Sequence, residues 1–439
     1  MNEHTVQEIR ADVAVAGAGT AGIGAALATA GRGLSTVLLE SSSKIGGVMS
    51  VCPGMPIGAA YPCGFSVGGL LEEFVQKLYC MKPPAAEKRE CALKEFGPEI
   101  LYDYEIALAV LYGMLENAGV QLFLNTVAAE TVMEGNKITG ILCRSRTRAL
   151  MIRAKVFIDC SGDGDLAESA GVPFETGNKD GNMMGATLSF IMDNADWKKI
   201  FEGNPDPYFT EAAAKGIAGG KIHPDLYKLY MMKGFHKNSV FFNSVTIEGV
   251  NGCDQQSVTG ATAEARRRCL RLAEFVKEAI PGFENARLLY LGPSVGIRET
   301  RKFEGLYRLT IRDLADSAKF PDGIVACDNP IDDVFRGGNV MTHNSVVDKG
   351  QYYTIPFRCM VPKKIDNLLF AGRLISADPD AFASVRGMSQ CMIMGQACGT
   401  AAEQVIKSGI PVQQINTREL VASLLEQGVN GIGAEAYGK

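Results

Sequence analysis

The sequence lacks the patterns that mark several classes of protein. No apolar run approaches the roughly 20 residues needed to span a bilayer. The net charge is −5, and there is no long basic run, so neither nucleic acid nor a membrane surface is an expected partner. The first twelve residues, MNEHTVQEIRAD, lack the apolar centre of a signal peptide. We therefore expect a cytoplasmic protein.

Metal-binding patterns are also missing. The chain has only four histidines, which are His4, His223, His236 and His343. It has twelve cysteines, but none forms C-x-x-C and none lies near a histidine at a spacing typical of zinc sites. We predict no metal site, and we expect reduced, mostly buried thiols.

Amino-acid composition and chain length indicate a folded protein with several structural units. Hydrophobic residues make up 46% of the chain and charged residues 21%, which is typical of globular proteins. At 439 residues, the chain is too long for one ordinary core. We expect two or three structural units.

Residues 11–40 contain a strand, a glycine-rich turn, a helix and a second strand. The run ADVAVAG predicts a buried strand, and Gly17, Gly19 and Gly22 then form G-x-G-x-x-G where the helix begins. The first glycine of such a motif permits a tight turn, the second lets a pyrophosphate approach the backbone, and the third allows close packing of helix on strand. The free N–H groups and the dipole of the helix N-terminus favour phosphate.

Glu40 completes this unit. It follows the second apolar run and lies 18 residues after Gly22, close to the spacing of the acid that binds a ribose hydroxyl. A carboxylate disfavours a 2′-phosphate, so the pattern predicts FAD or NAD rather than NADP. The alternative is a glycine-rich turn that binds nothing, and the agreement of strand, helix and acid disfavours it.

The next segment is predicted to be a loop followed by two helices. Residues 48–62, VMSVCPGMPIGAAYP, are small, apolar and interrupted by proline, which predicts a loop near the ligand rather than a helix. Apolar periodicity predicts helices over 67–81 and 104–118. Asp103 is a suitable N-cap for the second helix, and Gly119 ends it. Strands are predicted at 120–126, 137–144 and 148–153, the last two forming a hairpin.

A second glycine-rich turn follows in KVFIDCSGDGDLAESAG, where Gly162, Gly164 and Ala167 fit G-x-G-x-x-A. It could form a second nucleotide site or close over the first ligand. We favour the second interpretation, because no further strand ending in an acid follows.

The composition changes between residues 177 and 350, where the strand–helix alternation stops. This change predicts domains at 1–176, 177–350 and 351–439, the middle one inserted into a domain that continues afterwards. The insert includes a predicted helix at 261–278 and the strand RLLYLG. Charged residues in the following segment, GPSVGIRETRKFEG, indicate either a solvated strand face or a functional site. Finally, NLLFAG predicts a returning buried strand, and a helix is predicted at 388–407.

Four blocks of the chain resemble a known family. They are VAGAGTAGIGAALATAGRG with VLLE, then VFIDCSGDGDLAESAGV, GIRETRKFEG, and NLLFAGRLISADPDAFASVRGMSQCMIMGQACGTAA. Together they resemble the FAD-dependent oxidoreductase family of glutathione-reductase-like flavoproteins, distant relatives of fumarate reductase flavoprotein subunits. The resemblance implies an α/β fold: a Rossmann-like FAD-binding domain of the glutathione-reductase type with an inserted α+β substrate domain. It also implies FAD as the cofactor.

The motif and the resemblance together suggest the site residues. The expected FAD-binding residues are Gly17, Ala18, Gly19, Thr20, Ala21, Gly22, Glu40, Gly46, Gly47, Val127, Ser161, Gly162, Asp163, Gly372, Arg373, Gly387, Met388 and Ser389. By resemblance, the helix that begins near Met388 points its N-terminus at the pyrimidine end of the flavin. The candidate catalytic residues are Arg298 and Arg386, which could hold an anionic substrate or donate a proton, and His343 as a weaker proton carrier.

The leading functional prediction is hydride transfer between flavin N5 and a small, polar or anionic organic substrate. The chain lacks the redox C-x-x-C of disulfide reductases and a second complete dinucleotide unit, so we expect no disulfide relay and no direct reduction by NADPH. One alternative is a thiol-using or group-transferring enzyme of the thiazole-forming or tRNA-modifying type, with Cys52 or Cys63 reactive. Another is a non-enzymatic binder.

Overall fold

A computed structural model describes residues 6–334 and 342–433, with side chains at all of these positions except 342–344. The strands are β1 (Gln7–Arg10), β2 (Val13–Ala16), β3 (Thr36–Leu39), β4 (Ala86–Glu90), β5 (Pro98–Tyr102), β6 (Gln121–Phe123), β7 (Thr126–Glu134), β8 (Lys137–Ser145), β9 (Ala149–Arg153), β10 (Val156–Asp159), β11 (Phe174–Thr176), β12 (Ala186–Asp193), β13 (Met231–Lys233), β14 (Val240–Ile247), β15 (Arg287–Leu291), β16 (Arg301–Phe303), β17 (Gly323–Cys327), β18 (Ile331–Asp333), β19 (Thr342–Asn344), β20 (Tyr353–Pro356) and β21 (Leu368–Phe370).

The helices are α1 (Thr20–Ala30), α2 (Val48–Val51), α3 (Gly69–Tyr79), α4 (Tyr104–Asn117), α5 (Asp165–Ser169), α6 (Trp197–Phe201), α7 (Thr210–Ala218), α8 (Gln255–Ala279), α9 (Ile311–Ala315), α10 (Pro379–Val385), α11 (Met388–Ser408) and α12 (Thr417–Glu426). Short 3₁₀ turns lie at Pro62–Gly64, Lys94–Phe96, Pro224–Leu226, Phe357–Met360 and Val412–Gln414. In the part of the chain described, none of these helices is long and apolar enough to cross a membrane.

A five-stranded parallel sheet in the order β21-β10-β2-β3-β6 forms the centre of the molecule. All four residues of β2, β3 and β10 are buried, as expected for strands covered on both faces. The opening unit is confirmed, because β2, the glycine turn, α1 and β3 follow in the predicted order. The α/β class with a Rossmann-like sheet is thus shown, and the glutathione-reductase subtype remains a prediction.

The two faces of this sheet are covered differently. One face packs against a four-stranded sheet in the order β1-β9-β8-β7, which contains the predicted hairpin of β8 and β9. On the other face, α1 crosses α11 so closely that a Cβ on Gly24 or Gly395 would overlap a backbone oxygen of the opposite helix. Small residues on both helices therefore permit this crossing.

A second sheet, antiparallel in the order β13-β14-β12-β15, packs against α8 around its own hydrophobic core. That core draws its buried residues from Ala186 to Val295. Leu309, Leu314 and Ile324 pack instead into the large core that holds α1 and α11. The predicted insert, 177–350, is thus divided between two cores, and its limits as a domain remain a prediction.

Three local predictions were wrong. The segment predicted as a loop begins with one helical turn, α2, which follows two positive-φ glycines, Gly46 and Gly47. In GPSVGIRETRKFEG, for which a strand face was one of two interpretations, residues 297–300 form no ladder in the described chain, and β16 starts only at Arg301. Helix α8 begins at Gln255, ahead of the predicted start, because the Asp254 side chain accepts the N–H of Gln256 as an N-cap.

Candidate active site

A cavity of about 470 Å³ lies at the edge of the parallel sheet where the strands reach their carboxyl ends. Parallel strands end on the same side, so the turns after β2, β3, β10 and β21 meet there. The second sheet covers the opposite wall. The predicted site residues that line the cavity are Gly17, Gly19, Thr20, Ala21, Glu40, Gly47, Val127, Ser161, Gly162, Asp163, Arg298, Gly372, Arg373, Arg386, Gly387 and Met388.

The three motif glycines have different surroundings. Gly17 has a φ of +91°, and a Cβ there would lie 2.6 Å from the carbonyl carbon of Cys160. A Cβ on Gly22 would overlap the carbonyl oxygen of Gly17. A Cβ on Gly19 would meet only the Cα of Gly47, at 3.8 Å. Packing therefore requires glycine at 17 and 22, whereas the space beside Gly19 is left to the cavity.

Glu40 ties the turn to the end of β3. One carboxylate oxygen accepts the N–H of Ala18 at 2.8 Å, and the other accepts the N–H of Ser42 at 2.8 Å. The residue is 9% exposed and lines the cavity. A carboxylate has about four acceptor positions, so Glu40 keeps capacity for hydroxyl groups of a ligand.

The second glycine-rich turn faces the same cavity, because β10 lies directly beside β2. Its Asp163 accepts from Arg373 Nη2 at 3.4 Å, and a Cβ on Gly162 would lie 2.5 Å from that nitrogen. Arg373 Nη1 is buried without a hydrogen-bond partner in the described chain. An unpartnered guanidinium nitrogen beside this glycine turn is suited to an anionic group.

Four predicted residues do not line the cavity. Ala18 donates to Glu40, and the Gly46 N–H donates to the Ala18 carbonyl at 2.7 Å. Gly22 packs under the turn, and buried Ser389 donates its hydroxyl to the Gly58 carbonyl at 2.8 Å. These residues shape the walls, and direct contact with a ligand remains a prediction for them.

Arg298 enters the cavity from the segment after β15. Its Nη1 donates to the Gly185 carbonyl at 2.8 Å and to Thr187 Oγ1 at 2.6 Å. Both partners are neutral, and within residues 6–334 and 342–433 no carboxylate lies at ion-pair distance from Arg298. Burial lowers the pKa of Arg298 to about 10; the nearby carboxylate of Asp332 opposes this effect, and the charge of Arg386 adds to it. It is still a cation at neutral pH.

Arg386 lies at the end of α10, immediately before α11. Its Nη2 donates to the Asp332 carboxylate at 2.6 Å and to the Asp332 carbonyl at 2.9 Å, while its Nε is buried without a partner in the described chain. Arg386 and Arg298 come from distant parts of the sequence, and both line the same cavity. Gly387 and Met388 place the N-terminus of α11 beside them.

The third catalytic candidate, His343, has its backbone in β19, opposite Asp332 in β18. Its side chain lies outside the described residues. Its role as a proton carrier therefore remains a prediction.

Several cavity residues were not predicted from the sequence. They are contributed mainly by the second sheet and by the β4–β5 hairpin, and they include Cys91, Leu93, Phe96, Glu99, Thr187, Tyr230, Met232, Asn243, Thr246 and Asp332. Strand β12, ATLSFIMD, is buried on both faces. Its nearly continuous apolar sequence is typical of a core strand and does not indicate a cavity-lining face. The one available signal was its hydroxyl residues, Thr187 and Ser189, in an otherwise apolar run.

Nine of the twelve cysteines are buried, as predicted. Cys52 lines the cavity, and burial raises the pKa of its thiol. The thiolate is the reactive form, so this environment disfavours Cys52 as a nucleophile. Cys63 is exposed on the 3₁₀ turn Pro62–Gly64.

A family model described as FAD dependent oxidoreductase matches residues 12–424 of this chain. No curated protein matches it. Among solved structures, p-nitrophenol 4-monooxygenase from Pseudomonas putida DLL-E4 is similar, with 14% identity, 97% of this chain and 85% of that chain covered, and a TM-score of 0.51. A geranylgeranyl bacteriochlorophyll reductase-like protein from Thermoplasma acidophilum has 15% identity over 96% of this chain and 85% of that chain, with a TM-score of 0.49.

Proposed function

The chain belongs to the FAD-dependent oxidoreductase family, and we propose that it transfers a hydride between flavin N5 and a small organic substrate that is polar or anionic. FAD supplies the two-electron chemistry at N5. The residues of this chain bind the cofactor, hold the substrate, exclude water and balance charge.

The cavity fits FAD at its phosphate end. Glycine at 17 and 22 is required by backbone contacts, and Gly19 faces open space next to Gly47. Arg373, next to Gly162 of the second turn, has a buried nitrogen without a partner in the described chain. Glu40 keeps free acceptor positions for ribose hydroxyls. This combination supports a pyrophosphate-and-ribose ligand in the orientation that the motif predicts.

The observation that carries the substrate proposal is the environment of Arg298. A guanidinium group taken out of water needs an opposite charge or strong acceptors to offset its desolvation. Arg298 has two neutral acceptors and, within the described chain, no carboxylate at ion-pair distance; the nearby Asp332 carboxylate accepts a hydrogen bond from Arg386. A carboxylate or a polarised carbonyl of the substrate would complete its hydrogen bonding. The Arg298 guanidinium would also stabilise negative charge that develops on the substrate during hydride transfer.

Arg386 supports the same role more weakly, because Asp332 already neutralises it. Its Nε, unpartnered in the described chain, is one further donor. The second sheet forms the opposite wall and would keep water from the reacting carbon.

The test is a single-turnover experiment on the FAD-loaded protein. We would mix it anaerobically with small hydroxy acids, amino acids and saturated acids, and mix the reduced protein with enoates and keto acids. The expected result is two-electron bleaching or recovery of the flavin absorbance, slowed when the transferred C–H is replaced by C–D. Flavin reduction without any isotope effect in the chemical step would overturn the proposal, and so would a product that contains an oxygen atom from O₂ in a separate aerobic reaction of the reduced protein.

A further inference from the structure

We infer that the substrate is a small carboxylic acid carrying an apolar group of about the size of one aromatic ring. The inference rests on the proposed function and specifies the substrate of that site. It comes from the cavity-facing side of the second sheet, which changes from polar to apolar along its strands.

The polar end of this face is the row that contains Thr187 of β12 and Thr246 of β14. The two residues are cross-strand partners, and their hydroxyl oxygens are 2.7 Å apart. Thr187 is also the hydroxyl partner of Arg298. The described residues here offer one carboxylate, Asp332, beside the two guanidinium groups of Arg298 and Arg386. An anionic group is therefore expected at this end.

A bulge lies in the middle of the face. The register of β12 and β14 shifts between Leu188 and Phe190, so two residues of β14 oppose Ser189. The bulge brings Asn243 to the cavity wall. The Asn243 Oδ1 atom is buried without a hydrogen-bond partner in the described chain. Asn243 can therefore accept a hydrogen bond from the middle of a ligand.

The far end of the face is apolar. Ile191, Phe241 and Met232 lie in neighbouring cross-strand positions of β12, β14 and β13, and they form one buried cluster. Met55 packs against this cluster and lines the cavity together with Met232. Alternate residues of the same strands, such as Leu188 and Phe242, point the other way into the core beneath α8.

The β4–β5 hairpin closes this apolar end. Arg89 of β4 donates to the Met232 sulfur at 3.1 Å and to Glu99 of β5 at 2.8 Å. Glu99 reaches the cavity wall, but its charge is offset by Arg89. Leu93 and Phe96, from the turn of the hairpin, also line the cavity. The end opposite the arginines is thus enclosed by apolar side chains and one neutralised ion pair.

The length of the face limits the ligand. Met232 lies at the level of Ile191, four residues or about 13 Å along the strands from Thr187 and two strand spacings of about 4.8 Å to the side. The long Arg298 and Met232 side chains both reach the cavity from this frame, so a carboxylate at Arg298 and an apolar group at Met232 would be joined by a linker of a few carbon atoms. A phenyl or similarly sized alkyl group satisfies this spacing, whereas a small, wholly polar acid leaves the apolar end unfilled.

The experiment uses three probes on the FAD-loaded protein: 3-phenylpropanoate, propanoate and 3-phenylpropanamide. Binding is followed through the change in flavin absorbance and by calorimetry. We expect 3-phenylpropanoate to bind best. Removal of the ring should weaken binding by about thirtyfold or more, the scale of burying one aromatic side chain. Replacing the carboxylate by the amide should weaken it by about tenfold to a hundredfold, the scale of a hydrogen bond between charged groups.

Two variants separate the two ends of the site. Arg298→Met should abolish the preference for acid over amide and retain the preference for the ring. Met232→Gln, of similar length but polar, should reduce the ring preference and retain the acid preference. Leu289→Gln is the matched control, because Leu289 lies on β15 with 53% of its surface exposed. It should change neither preference.

Equal binding of 3-phenylpropanoate and propanoate would overturn the apolar part of the inference, and equal binding of acid and amide would overturn the anionic part. If no acid binds but another organic compound still reduces the flavin with a C–D isotope effect, the inference fails and the proposed function stands. If acids bind as inferred but no compound exchanges a hydride with the flavin, the proposed function fails.

Discussion

At the scale of single residues, the glycines of the first turn have two different roles. Gly19 faces the cavity, whereas backbone packing requires glycine at 17 and 22. Gly19→Val should give a folded protein without FAD, because the new side chain meets no close protein atom and instead fills the space left to the pyrophosphate. Gly22→Val should fail to fold, since its Cβ overlaps the Gly17 carbonyl. Flavin absorbance per chain and the circular dichroism spectrum measure the two effects. Stoichiometric FAD in the Gly19→Val protein would show that the turn does not hold the cofactor.

The two arginines give a second residue-scale prediction. Arg298→Met and Arg386→Met should retain FAD and lower kcat by about a hundredfold or more, the scale of losing one oriented donor to developing charge. Arg386→Met leaves Asp332 without this partner, so the double variant Arg386→Met/Asp332→Asn separates catalysis from that disturbance. Arg312→Met is the control, because its side chain is 87% exposed and pairs with exposed Asp316. Full activity with bound flavin in both single variants would exclude the arginines.

At the scale of elements, α1 begins directly after the glycine turn and crosses α11 in close contact. Gly395→Ala should destabilise the protein by about 1–3 kcal/mol, the range for overpacking a core, because its Cβ overlaps the Ala21 carbonyl oxygen. Gly113→Ala in α4 is the matched control: it has open space around its Cβ and should stabilise by about 0.5–1 kcal/mol. Denaturant titrations at fixed FAD concentration compare the two. If both variants shifted the denaturation midpoint equally, the two helices would have moved apart to accept the new methyl group without loss of stability.

Elements with a strong local signal were predictable from the sequence. Helix α4 has an N-cap, Asp103, that accepts the N–H groups of Glu105 and Ile106 at 3.1 Å each, and Gly119 follows its C-terminus with a φ of +74°. The hairpin of β8 and β9 and the long helix α11 also match their predictions within a residue or two. In each case the local sequence and the tertiary packing favour the same structure.

The elements that were missed are those whose pattern is set by distant contacts. Strand β12 is buried on both faces, so it shows no alternation. Strand β4, AEKRE, is rich in charge, and it becomes a strand because it pairs with β5 and packs Arg89 against β13. Helix α2 depends on two positive-φ glycines that are compatible with several turns.

At the scale of the whole molecule, the two halves of the site differ in how far they can be predicted. The phosphate end is built by the turn after β2, one acid after β3 and the neighbouring turn after β10, all at one sheet edge. Most residues at this end were predicted from the glycine motifs in the sequence. The proposed substrate end joins Thr187, Arg298, Asp332 and Arg386 from separate segments, which tertiary packing brings together. Sequence alone indicated two of these four residues.

The last prediction concerns the electron donor. The sequence has one complete unit of strand, G-x-G-x-x-G, helix and acid. The second turn, at Gly162, lines the same cavity as the first. Once FAD fills this unit, NADPH would need a surface without a recognisable motif, and Glu40 disfavours a 2′-phosphate at the occupied one. Stopped-flow mixing of the oxidised, FAD-loaded protein with NADPH should therefore give slow flavin reduction that increases linearly with NADPH concentration. Dithionite serves as the control that the same flavin is reducible. Fast reduction that saturates with NADPH would contradict the prediction and would place a nicotinamide site on this chain.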